Sequence, residues 1–109
     1  MDFHNILTDL KNKNYNTVYF LEGEEPYYID LISDYILENV LSESEKAFNQ
    51  TLLYGKDITM DNILTAARRY PMMADRQVVV VREAQNIKDI DELASYVERP
   101  APSTLLVLC

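Results

Sequence analysis

Arg68-Arg69-Tyr70-Pro71-Met72-Met73-Ala74-Asp75-Arg76-Gln77-Val78-Val79-Val80-Val81-Arg82-Glu83-Ala84-Gln85 joins a helix to a strand, and the rest of the chain repeats that alternation. Proline disfavours the helical region for the residue before it, so Tyr70 is expected to close the helix and the two methionines to fall in the connection. Val78 to Val81 reads as the strand that follows. Neighbouring side chains point about 100° apart on a helix and to opposite faces on a strand. One core-facing surface therefore does not readily bury both Met72 and Met73, and at least one is expected to protrude.

Working outward, Asp2 is placed to cap a first helix from Phe3 to about Lys11, with Phe3, Ile6, Leu7 and Leu10 on one face. Thr17 to Leu21 is continuously apolar, β-branched or aromatic, as in a strand covered on both faces. A turn through Glu22, Gly23, Glu24 and Glu25 leads to Pro26 at the first position of a second helix reaching about Val40. That helix packs through Tyr28, Ile29, Ile32, Tyr35, Ile36 and Val40. Ser42 to Lys46 reads as a charged loop and Phe48 to Tyr54 as the second strand. Gly55-Lys56-Asp57 then turns into a third helix, capped by Thr59 and facing inward with Ile63, Leu64, Ala66 and Ala67. Asn86 to Asp91 opens a fourth helix packed through Ile90, Leu93, Ala94 and Val97. Pro100 and Pro102 stop it, and Leu105 to Leu108 is the fourth strand. The order predicts an α/β fold: a parallel sheet of about four strands flanked by helices on both faces.

A chain of 109 residues, 48% of them hydrophobic, suits one domain with one apolar core and gives no internal boundary. No apolar run approaches a membrane span and the N-terminus lacks a signal-peptide pattern, so the expectation is a cytoplasmic protein with no membrane partner. With one cysteine, Cys109, and one histidine, His4, neither a disulfide nor a cysteine–histidine metal site is expected. The formal charge of −8 opposes binding to a phosphate backbone. Arg68, Arg69, Arg76 and Arg82 lie close in sequence and form either a local basic patch or solvated and paired side chains. The apolar run at the end of the chain suggests a domain truncated from a longer subunit.

A strand, a glycine turn and a helix also describe a phosphate-binding loop. Such a loop needs glycine amides around the phosphates, a lysine, and a Ser or Thr for magnesium. Here Gly23 is followed by Glu24, Glu25, Pro26 and Tyr27, with no second glycine, no lysine and no hydroxyl in place. Pro26 lacks an amide hydrogen, and two glutamates repel a triphosphate. After the valine strand, Arg82 stands where a magnesium-holding acid belongs, and Glu83 follows it. The expectation is a degenerate nucleotide loop at Gly23, Glu24, Glu25 and Pro26, in a domain that is not an enzyme and needs no cofactor. The competing readings are a divergent P-loop nucleotide-binding enzyme and a nucleic-acid-binding module.

The run Val18-Tyr19-Phe20-Leu21-Glu22-Gly23-Glu24-Glu25-Pro26-Tyr27, then Arg69-Tyr70-Pro71-Met72-Met73 with Arg76-Gln77, and finally Pro102-Ser103-Thr104-Leu105-Leu106-Val107, resembles the N-terminal domain of the DNA polymerase III delta subunit. That family is the clamp-opening subunit of the bacterial clamp loader. The resemblance implies residues 1–109 form an AAA+-related, clamp-binding domain without a nucleotide site. It also implies further domains through which other clamp-loader subunits are met, and DNA is reached only through the whole assembly. In the family an apolar wedge after the third helix enters a pocket on the sliding clamp, the beta subunit. Carried over by position, the wedge is Met72 and Met73, with Tyr70 beside them and Arg76 as a rim contact. Family members often carry leucine and phenylalanine there, and the two methionines keep the apolar volume while adding flexible, polarisable side chains.

Overall fold

The computed structural model describes residues 3–22 and 25–109; Asp2, Gly23 and Glu24 lie outside the described residues, and with them the expected first cap and half of the glycine turn. In chain order the elements are α1 (Phe3–Lys11), β1 (Val18–Phe20), α2 (Pro26–Asn39), α3 (Glu43–Asn49), β2 (Gln50–Tyr54), α4 (Met60–Ala67), β3 (Gln77–Arg82), α5 (Leu93–Glu98) and β4 (Thr104–Leu108). The strands form one sheet in the order β1-β4-β3-β2, and every neighbouring pair is parallel. This is the α/β architecture that the alternation of elements predicts.

The valine run is the centre of it. Side chains alternate across a strand, so Val78 and Val80 join Leu105 and Val107 on one face, against Leu10 of α1 and Ile32 and Ile36 of α2. Val79 and Val81 join Leu106 and Leu108 on the other, against Met60 and Ile63 of α4 and Leu93 and Tyr96 of α5. Both central strands are buried on both faces, which is why their sequences show no polar alternation. β1 differs: it pairs with β4 alone, and Phe20 is left exposed despite the unbroken apolar run.

Three expectations about local structure shift. Ser42 to Lys46 is not a loop, because Ser42 accepts from the Glu45 N–H while the Glu45 side chain accepts from the Ser42 N–H, a reciprocal cap that starts α3. Phe48 and Asn49 consequently end a helix rather than begin a strand. The last helix is preceded by tight turns at Ala84–Asn86 and Ile90–Glu92, whose three-residue period rotates its face. Leu93 and Tyr96 point into the core, while Ile90, Ala94 and Val97 are exposed. Gly55, just after β2, is required by close approach: a Cβ there would collide with the Glu83 carbonyl oxygen.

The α3 cap makes a testable contribution. Ser42→Ala is expected to lower stability by about 1 kcal/mol, a fall of roughly 4–8 °C in a thermal melt. The Ser42 backbone N–H and then its hydroxyl hold the Glu45 carboxyl below the usual range. A depressed folded-state value means that this contribution is present above the unfolded glutamate's pKa and is lost as pH falls through the lower folded value. Glu45→Ala should therefore flatten the acid side of the stability–pH curve.

Candidate docking site

The nine residues between α4 and β3 emerge at the N-terminal end of the sheet. α4 begins on Thr59, whose hydroxyl accepts from the Asn62 N–H at 3.4 Å. It ends at Ala67, three residues before Tyr70. The reason lies in Gln77 and Thr104, buried side chains at the starts of the two central strands. Gln77 Nε2 lies 2.9 Å from the Ala66 carbonyl, 3.2 Å from that of Ala67, 2.8 Å from that of Arg69 and 2.9 Å from Thr104 Oγ1. Thr104 Oγ1 in turn donates to the Ala67 carbonyl at 2.7 Å. These groups take up the carbonyls that a helix end leaves without partners, so the chain leaves the helix before proline forces it to.

Farther along, Asn49 at the end of α3 holds the loop. It is 2% exposed. Its Oδ1 accepts from the Met72 N–H at 2.6 Å, and its Nδ2 donates to the Met72 carbonyl at 2.8 Å and to the Glu45 carbonyl at 3.0 Å. The Arg76 guanidinium lies over the Tyr15 ring, 4.6 Å from its centroid. The loop is thus tied by its backbone and by Arg76, while its large apolar side chains are not packed. Tyr70 is 89% exposed, Met72 61% and Met73 99%. Met73 also adopts a left-handed backbone, φ 57°, a region that costs a non-glycine residue roughly 1–2 kcal/mol. No apolar burial within the chain offsets that cost, a pattern associated with functional loops.

The four arginines do not form one patch. Arg68 and Arg76 lie against the rings of Tyr96 and Tyr15. Arg82 stands at the other end of β3, about 16 Å away at 3.3 Å per residue, and pairs with Asp34 at 2.7 Å.

That other end, where the strands finish and α2 begins, holds a cleft of about 620 Å³ lined by Leu21, Glu22, Pro26, Asp30, Arg82 and Glu83 among others. It lies where an α/β sheet of this kind places its ligands. Of the described sequence-predicted loop residues, Glu25 is exposed and makes no side-chain cap, and Pro26 occupies the first turn of α2. Among the described lining residues three carboxylates, Glu22, Asp30 and Glu83, face one guanidinium. Burial pushes the Cys109 thiol up, with Arg82 acting the opposite way, so the cysteine at this cleft is held as the poorly nucleophilic thiol. The electrostatics disfavour a triphosphate.

Sequence reasoning placed Tyr70, Met72, Met73 and Arg76 in one loop, and the structure brings them together there. It missed Asn49, which it assigned to a strand, and the capping role of Gln77. A polar amide at the edge of an apolar segment was the available signal for Gln77, whereas the partner of Asn49 lies 23 residues away.

The family described as DNA polymerase III, delta subunit, matches residues 19–109. The DNA polymerase III subunit delta of Bacillus subtilis is 28% identical, over 91% of this chain and 31% of its own length. The solved structure of the Bacillus subtilis DNA clamp loader delta protein superimposes with a TM-score of 0.87 at 26% identity, covering 98% of this chain and 34% of that one. The chain spans about a third of the length of the relatives it matches. The fold is the P-loop NTPase-like, AAA+-related one, and by a match over most of its residues the chain belongs to the DNA polymerase III delta subunit family.

Proposed function

We propose that this domain binds the sliding clamp and helps to open it, as the delta subunit of a clamp loader does during DNA replication. The observation that carries the reading is the pair Met72 and Met73, exposed side by side on a loop whose backbone is fixed by Asn49. Two flexible apolar side chains presented from a rigid support suit an irregular cavity on another protein. Tyr70 flanks them, and Arg76, engaged with Tyr15, anchors the loop's return to β3. The domain works by a difference in affinity between open and closed rings. It hydrolyses no nucleotide itself, and partner subunits supply that step. Other clamp-loader subunits and DNA are met through the rest of the assembly.

Capture of the cognate clamp by the full-length protein tests the reading, with Met72→Ser/Met73→Ser as the variant that should fail. The divergent P-loop enzyme would instead use the cleft at the far end of the sheet. Titration of ATP and magnesium into the full-length protein is expected to give no binding heat, and saturable micromolar binding would favour the enzyme.

A further inference from the structure

We propose that Asn49 is a positioning residue for the Met72–Met73 tip, acting by a two-armed hydrogen bond on the Met72 peptide groups. The inference rests on the docking function proposed above. The side-chain amide offers a donor and an acceptor side by side, and both meet one residue's main chain: Oδ1 takes the Met72 N–H and Nδ2 gives to the Met72 carbonyl. The third bond, to the Glu45 carbonyl, fixes the amide's orientation, so the acceptor arm cannot swap with the donor arm without facing two carbonyl oxygens. α3 is itself fixed at its start by the Ser42–Glu45 cap.

The consequence is local to the tip. Met72 and Met73 gain little apolar packing from their own chain, so the backbone clamp at Met72 sets the point from which the left-handed turn at Met73 departs. A tip held in place before association loses less freedom on binding. Without the clamp, the same two side chains would be present but would have to be ordered at the moment of docking.

Asn49→Asp distinguishes this role from simple core stability. An ionised carboxylate would face the carbonyl oxygens of Met72 and Glu45 with no proton to give, and burial would raise its pKa well above the usual range. Once protonated, its hydroxyl donates to the Met72 carbonyl while its other oxygen accepts from the Met72 N–H, restoring both arms. Affinity of the full-length protein for the cognate sliding clamp is measured at pH 8 and pH 5.5, each variant as a ratio to the unaltered protein, with thermal melts alongside. Asn49→Asp and Asn49→Ala are expected to bind about tenfold more weakly at pH 8, a loss of about 1.4 kcal/mol. At pH 5.5 Asn49→Asp should recover to within about threefold of the unaltered protein while Asn49→Ala does not.

An Asn49→Asp ratio that stays constant with pH overturns the proposal. So does wild-type binding by Asn49→Ala when Met72→Ser/Met73→Ser has lost it, an outcome that leaves the docking function standing. Normal binding by the double methionine variant removes the docking function itself. If Asn49→Ala does not fold, hydrogen exchange of the unaltered protein decides: the Met72 amide should exchange more slowly than those of Met73 and Ala74, and equal rates overturn the clamp.

Discussion

Replacing Met72 and Met73 together by serine is expected to weaken clamp binding by about 30- to 5,000-fold while leaving the thermal midpoint within a few degrees. A buried methionine side chain contributes about 1.5–3 kcal/mol. Met73 offers nearly all of its surface and Met72 somewhat more than half. Their joint burial in a partner's cavity is therefore worth roughly 2–5 kcal/mol, and each 1.4 kcal/mol is a factor of about ten in affinity. Met73→Ser alone should cost more than Met72→Ser alone, because Met72 already hides part of its surface and is tied through its backbone, which serine keeps. Stability is spared because neither side chain fills the core, and exposed substitutions usually stay within about 0.5 kcal/mol. Met73→Gly sharpens the separation: glycine relieves the left-handed strain but gives the unfolded chain more freedom, two effects of similar size and opposite sign. Its melt should barely move while its binding falls. Unchanged clamp affinity in the double variant, or a large fall in its melting temperature, contradicts the assignment of these side chains to a partner.

How much of this could be read from the residues follows from the kind of signal each element carries. The valine run, the stop at Pro100 and the caps at Pro26 and Thr59 are local statements about backbone and burial, and each appears in the fold where the sequence puts it. The helix before Pro71, by contrast, ends at Ala67 rather than at Tyr70 because Gln77 and Thr104 take up its last carbonyls. The protrusion of the methionines was legible for the same reason, since adjacent large apolar residues after a proline leave few ways to bury both. Tyr96 was not legible, because its face depends on two tight turns upstream whose rotation only the three-dimensional path reveals. Asn49 was not either: its partner is 23 residues away, and nothing nearby marks an asparagine that will bond a distant peptide. The reciprocal cap of α3 was readable from Ser42 and Glu45 at the right spacing, but the charges around them looked like a solvated loop. The divided arginines show the same limit, as closeness in sequence put Arg82 beside residues from which a whole strand separates it.

Gln77→Leu is expected to be the most damaging single substitution to the frame behind the tip, lowering stability by about 3 kcal/mol, equivalent to roughly 12–24 °C in a melt. Leucine keeps the apolar volume and the main-chain bond from the residue 77 N–H to the Ser103 carbonyl, so the loss isolates the side-chain amide. The two hydrogens of that amide are shared among the Ala66, Ala67 and Arg69 carbonyls and Thr104 Oγ1. Ala67 retains Thr104 as a donor and Ala66 retains the neighbouring N–H groups at the end of the helix. The part-buried Arg69 carbonyl loses its bond from Gln77, and a buried polar group left unsatisfied costs up to about 1–3 kcal/mol. Thr104→Val should be milder, about 1–2 kcal/mol, because Gln77 still reaches the Ala67 carbonyl. Urea unfolding of the three proteins tests the ordering through the midpoint at constant m-value; equal losses in the two variants would mean that the helix end is held by the hydroxyl rather than the amide. Clamp binding by folded Gln77→Leu should fall less than by the double methionine variant, since the substitution leaves the apolar tip intact and removes only part of its support. The contrast separates the two layers of the loop: polar side chains buried beneath it that keep the chain folded, and apolar ones above it that the chain itself does not use.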